Sequence, residues 1–256
     1  MLWRGPSVQT LNLERKKMES YLYNIKFWEP YIKRRFIGQV EFLHKTIEQR
    51  LIPTFNSAEQ EAEEITENKW NELNSFVCCP DIDPADLAEA AEEEGVDYFL
   101  MLLDIKQTLL NTTAITLFHL FEQQVIFMLR REIVHPAEEF CVKLMKIKEF
   151  RKRLLSSGID ITQYKSWNTI SELNHLANAT KHGEGSSAEK LRKVRPDLFS
   201  PSSIERDLGP RSKSPSRRLY SPLSGEDIYV SETDLVRYKN AIVGFWCDYI
   251  ESCDQN

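Results

Sequence analysis

From Asp97 to Arg131 the chain runs without glycine or proline, and apolar residues recur on nearly every side of a helical wheel. Phe99, Leu102, Leu103, Leu109, Leu110, Ile115, Phe118, Phe121, Val125, Ile126 and Leu129 wrap most of the circumference. A helix that is apolar all round is stable only when neighbours cover it, so this segment is expected to be the central element of a helical fold. The rest of the sequence agrees. Nine Gly and eleven Pro are few for 256 residues, 41% of residues are apolar, and Leu, Glu, Lys, Ile and Ala dominate long stretches. The expected class is all-α, an elongated helical bundle with a long N-terminal helix; disordered, collagen-like, sandwich and barrel classes fall away.

The N-terminal helix is expected from about Glu14 to Arg50, with Leu22, Ile25, Trp28, Ile32, Phe36, Val40, Leu43 and Ile47 at spacings of three and four and a kink or division at Pro30. Ser57 should cap an acidic helix reaching about Leu73, with Glu59, Glu61 and Glu63 near the positive end of its dipole. A turn over Cys79 to Pro84, a short helix Asp86 to Glu94 and a break at Gly95 precede the central helix. His135-Pro136 should open a helix to about Leu155, with Phe140, Leu144, Ile147 and Phe150 inward and a basic outer face. Another helix is expected from about Gln163 to Lys181, stopped by Gly183 and Gly185. Ser200 to Ser224, rich in Ser, Pro and Arg, reads as a mobile basic loop, and Ile228 to Val230 as a short extended piece. The last helix, Ser231 to about Ile250, should be capped by Ser231 with Asp234 and bury Leu235, Tyr238, Ile242, Phe245, Trp246 and Tyr249. Residues 1–256 thus read as a single helical domain with an N-terminal extension over 14–94.

The net charge of -6 conceals blocks. Residues 57 to 99 carry fourteen Asp/Glu against Lys69 alone, whereas 1 to 50, 142 to 165 and 178 to 220 each hold a surplus of five positive charges. Such a pattern fits a phosphate-facing surface or an internal charge match. Glu89, Glu92, Glu93 and Glu94 read as a solvated face, and His119 as a hydrogen-bonded core histidine. The longest apolar run, Tyr98 to Leu103, falls far short of the roughly 20 residues that span a bilayer, and MLWRGPSVQT lacks the apolar core of a secretory signal. No membrane partner is expected. The expected location is cytoplasmic, where five Cys, including the vicinal Cys78 and Cys79, stay reduced. A Gly-rich phosphate loop, a G-x-S-x-G elbow and H-E-x-x-H are all missing from the sequence, so P-loop, hydrolase and metalloprotease chemistry receives no support.

On a wheel of about 100° per residue, Trp167, Ile170, Leu173 and Ala177 share one side of their helix while Ser171, His175, Asn178 and His182 share the other. His175 and His182 lie about 10.5 Å apart along the axis, too far to hold one metal ion from a single straight helix. Asn178 and His182 are i,i+4 neighbours, close enough for an amide to orient an imidazole, and the negative end of the helix dipole favours a protonated His182. On spacing alone, a helix cap before Gly183 is the commoner use of the same residues.

The stretch Leu173-Asn174-His175-Leu176-Ala177-Asn178-Ala179-Thr180-Lys181-His182-Gly183 resembles the signature of the HEPN superfamily of helical nucleotide-binding and RNA-cleaving domains. That signature ends a helix with Arg, a polar residue often Asn, three variable residues, then His and frequently Gly; Asn178, His182 and Gly183 match it, and Ala177 stands at the Arg position. The resemblance implies a HEPN-like four-helix core over 97–252 in a bacterial cytoplasmic protein. It further implies a metal-independent endoribonuclease or an RNA-binding relative of one, acting as a homodimer without cofactor in anti-phage defence or toxin-antitoxin-type control. His182 would be the acid/base, Asn178 its orienting or phosphate-contacting partner, and Lys181, Arg192 or Arg195 the phosphate-binding charge in place of the absent Arg. The alternative is a noncatalytic helical module whose acidic block binds a protein partner.

Overall fold

The computed structural model describes residues 24–76, 83–201 and 218–254, and among these there is no strand, in agreement with an all-α class. In chain order the helices are α1 (Ile25–Tyr31), α2 (Gly38–Thr46), α3 (Ala58–Phe76), α4 (Pro84–Met128), α5 (Ile147–Ser156), α6 (Trp167–His182), α7 (Ser186–Val194) and α8 (Glu232–Asp254). They build two compact units. The first comprises residues 24–43, 116–174 and 236–254 and the second 44–76, 83–115, 175–201 and 218–235, so α2, α4, α6 and α8 each contribute residues to both. Neither unit follows the expected 14–94 and 97–252 spans, and residues 14–23 of the expected N-terminal helix lie outside the described residues.

In the first unit Trp28, Ile32, Phe36 and Val40 are buried at steps of four. A step of four advances about 400° on an α-helix, so three would carry the stripe about 120° away from its starting face. The π-helical segment Ile32–Ile37 between α1 and α2 takes up that excess by placing more residues in a turn. Pro30 therefore does not divide the helix; it sits inside α1, and the chain widens just after it. The core around α8 is aromatic: the Phe36 and Phe121 rings lie 4.8 Å and 4.9 Å from those of Trp246 and Phe245, respectively. Its buried polar groups are matched, since Trp246 Nε1 donates to Gln124 Oε1 at 2.9 Å and Gln124 Nε2 donates to the Phe36 carbonyl at 3.1 Å. Leu235, Tyr238, Ile242, Phe245, Trp246 and Tyr249 are all buried, as their spacing predicts.

The stretch after His135 departs from expectation. His135 and Glu138 form a capping box around Pro136–Glu138, and that single 3-10 turn is followed by another, Val142–Leu144, before α5 begins. Phe140 consequently points to solvent rather than into the core, while Phe150 and Leu154 are buried. His119 is also not a core residue: it is half-buried and pairs with Glu122 at 3.1 Å.

In the second unit Gly95 is a contact, not a break. α4 runs straight through it, and a Cβ there would strike Thr66 Oγ1 and come within 2.8 Å of the Ala62 carbonyl, so the glycine lets α3 and α4 approach. The Ser57 hydroxyl donates to Glu61 Oε1 at 2.5 Å instead of capping a backbone amide. Glu89, Glu92, Glu93 and Glu94 are exposed, the solvated acidic face that is expected, and Glu59, Glu63 and Glu64 on α3 are exposed as well. The C-terminal end of the expected mobile loop is ordered: residues 218–230 are laid along α4, while 202–217 and most of the expected Cys79 to Pro84 turn lie outside the described residues. The fully buried Asn111 side chain anchors that segment. Its Nδ2 donates to the carbonyls of Ile228 (2.7 Å) and Pro222 (3.2 Å), and its Oδ1 accepts from Val230 N–H (3.2 Å) and Gln107 Nε2 (2.9 Å). Thr108 Oγ1 adds a bond to the Leu223 carbonyl, and Gly225, at φ 84°, passes so close that a Cβ would sit 2.6 Å from the Asp104 carbonyl. Ser231 and Asp234 close the expected capping box at the start of α8, with bonds of 3.0 and 3.1 Å.

Candidate nucleic-acid interface

The motif helix α6 ends at His182 because Gly183 adopts a left-handed φ of 73°, which a side chain rarely tolerates, while its N–H still bonds the Ala179 carbonyl at 2.8 Å. Thr180 is buried with its hydroxyl donating to the Leu176 carbonyl, so the last turn is firmly held and Lys181 and His182 are left facing solvent. Opposite them lies the pinned segment 219–224. Thr180 to Glu184 and Leu219 to Ser224 line one groove of about 460 Å³. Asp227 positions its far wall by accepting both the Tyr220 and Ser221 N–H groups at 2.6 Å, which leaves the Tyr220 ring 79% exposed at the rim. Leu219 is buried beneath it.

Of the residues singled out by the motif, Lys181 and His182 line this groove; Asn178, half-buried one turn earlier, does not. Ala177 is buried, so the position where an Arg would stand faces the packed interior and offers no route for a guanidinium to a phosphate. His175 is half-buried, and burial, with Lys190 nearby, pushes its pKa down.

Arg192 and Arg195 are engaged elsewhere. Arg192 makes a two-pronged pair with Glu184 at 2.7 and 2.8 Å and lies 4.7 Å from the centre of the Phe199 ring. Hydrogen bonds from Arg192 hold the Glu184 carboxyl down at about 2, and the same carboxylate accepts the Leu219 N–H at 3.0 Å. Arg195 bridges Asp197 at 2.6 Å and Asp234 at 2.8 Å. Burial alone would raise the Asp234 carboxyl, but Ser231 and Arg195 together hold it below its ordinary value. Both guanidiniums thus act as structural ties, neither lining the groove.

What the arrangement offers a ligand is one exposed ammonium, one exposed imidazole, an exposed phenol ring and the hydroxyls of Ser221 and Ser224, with the Glu184 carboxylate, paired to Arg192, also in the lining. Sequence reasoning found the first two and missed Tyr220 and Glu184. The one available signal for Tyr220 is an aromatic that follows Arg217-Arg218-Leu219 at the end of a Ser-, Pro- and Arg-rich stretch. No group of three or more His, Cys, Asp or Glu side chains able to hold a metal ion occurs among the described residues. Cys141, Cys247 and Cys253 are free thiols. No helix among those residues is long and apolar enough to cross a membrane. No protein-family model, curated protein or solved structure matches the chain.

Proposed function

We propose that this chain is an RNA-binding helical protein, a relative of HEPN domains that holds a short single-stranded segment in the groove between the end of α6 and residues 219–224 without cleaving it. One observation carries the reading: Lys181, His182 and the exposed Tyr220 ring share one groove. A cation for the backbone beside an open aromatic face for a base is the combination that binds single strands with little sequence preference. Among the described residues that line the groove there is no arginine to act as a second fixed cation in phosphate transfer, because Arg192 and Arg195 are tied to Glu184, Asp197 and Asp234 and Ala177 is buried. Loss of one such donor commonly costs a hundredfold or more in rate.

Fluorescence anisotropy with a labelled twelve-residue oligouridine tests this, run beside a cleavage gel in EDTA. Tyr220→Ala should weaken binding about tenfold through lost stacking, and Lys181→Ala should weaken it and lower the salt slope by about one. No binding by the wild type, or binding indifferent to all of Lys181, His182 and Tyr220, overturns the proposal. Cleavage that vanishes in His182→Ala would replace it with the nuclease reading.

A further inference from the structure

The first unit carries a second surface that the groove does not use. Phe140 and Val142 are 85% and 81% exposed, with the exposed Cys141 between them. Values that high belong to side chains on a convex tip, and they occur because the chain between His135 and Ile147 takes two 3-10 turns rather than a helix that would have turned Phe140 inward. Within the ten residues that follow, Lys143, Lys146, Lys148, Arg151 and Lys152 are all exposed, and none makes an ion pair within 4 Å among the described residues. On α5, Lys148, Arg151, Lys152 and the exposed Leu155 fall within one sector of about 100°, opposite the buried Phe150 and Leu154.

The local carboxylates do not neutralise this patch. Glu138 and Glu149 are both taken by Arg153, at 2.9 and 2.8 Å, and Glu139 faces Arg131 at 3.6 Å. Every acid between His135 and Ser156 is therefore used on an arginine outside the outward set; Asp160, whose carboxyl is lowered chiefly by Thr162 and in smaller part by Arg151, faces only one of the five cations, so the segment keeps a surplus of positive charge next in sequence to two exposed apolar side chains.

We infer that this face adsorbs to the surface of an anionic bilayer, with Phe140 and Val142 entering the interface and the five cations lying at the level of the lipid phosphates. Two features select a bilayer over other anionic partners. A convex apolar tip needs a matching concavity on a protein partner, whereas the lipid interface opens around it. RNA would reward the cations and could stack on Phe140, but it gives an aliphatic Val142 nothing. The chemistry is that of an apolar anchor combined with a polybasic patch, two signals that are each weak alone. Such adsorption needs no spanning helix, so it is independent of the short apolar runs in the sequence, and it does not rest on the RNA-binding reading.

The test is flotation of the full chain with vesicles of phosphatidylcholine alone or with 30% phosphatidylserine. Binding is expected only with the anionic lipid, weakening about fivefold for each cation removed in Lys148→Ala, Arg151→Ala or Lys152→Ala and falling steeply with salt. Phe140→Ser with Val142→Ser should abolish flotation while leaving the circular dichroism spectrum unchanged, since neither side chain belongs to the core. Phe140→Trp should be quenched by brominated acyl chains on binding. Failure to float at low salt, flotation unaffected by the double serine variant, or no quenching overturns the inference. If oligouridine binding, rather than flotation, falls with the α5 cations, the surface is a nucleic-acid site, and the Tyr220 and Lys181 variants distinguish that outcome from the groove.

Discussion

Asn111 is the residue on which the groove depends most. Its amide makes four hydrogen bonds inside the second unit, three of them to backbone groups of residues 222–230. Asn111→Ala deletes all four and strands the Pro222 and Ile228 carbonyls and the Val230 N–H. A net bond is worth about 1 kcal/mol and an orphaned buried polar group costs about 1–3 kcal/mol, so a loss of about 3–5 kcal/mol is expected, at the extreme of single substitutions. Asn111→Asp is the sharper probe, because it keeps the shape and still accepts from Val230, yet as a carboxylate it has no proton to donate to two carbonyls. Burial beside them favours the neutral acid, so the Asp variant should recover stability as the pH falls and the protonated carboxyl regains one donor. Urea unfolding followed by circular dichroism measures the loss, and oligouridine binding by the fraction still folded measures the groove. An Asn111→Ala protein within 1 kcal/mol of wild type, binding oligouridine unchanged, would refute the claim that this amide holds the wall.

Three further outcomes follow from the same contacts. Gly95→Ala should lower the melting temperature although alanine is better than glycine in a helix by about 1 kcal/mol, because the Ala62 carbonyl cannot retreat from the new Cβ; a rise would mean that α3 and α4 are not in close contact there. The Glu184 carboxyl is depressed from its ordinary 4.5 to about 2, so its contribution is complete above about pH 4.5 and fades as the pH falls towards 2. Wild type and Glu184→Gln should therefore differ in melting temperature at pH 7 and converge below pH 3; a constant gap would refute the pairing. Ser231→Ala should cost about 1 kcal/mol through loss of the cap on α8, measured by the urea midpoint at unchanged slope.

The parts of the fold readable from sequence were those fixed by near neighbours. α8 announces itself through Ser231 and Asp234 three residues apart and a stripe of large apolar side chains, all of which depend on helical spacing alone. Gly95 misled for the opposite reason: the local rule treats glycine as a stop, but here it answers to α3, about thirty residues earlier. Phe140 misled because its spacing continues the stripe of α5 while Pro136 and the His135 box end the first turn almost at once. At the site, Lys181 and His182 were legible as the end of a helix before Gly183. Tyr220 was not, since it reaches them only through bonds from Asp227 and Asn111 that span stretches no spacing rule covers.

The wide turn over Ile32–Ile37 has a consequence for the length of this chain. From Trp28 to Val40, eleven steps of about 100° would come within about 20° of three full turns, so a regular α-helix would reach the same buried face with one residue fewer. Removal of one outward residue from that segment should convert it to ordinary α-helix with both flanks still in register, whereas the same deletion in the middle of α8 would rotate Phe245, Trp246 and Tyr249 out of the core. The first unit thus carries a spare residue at a place where it can be given up.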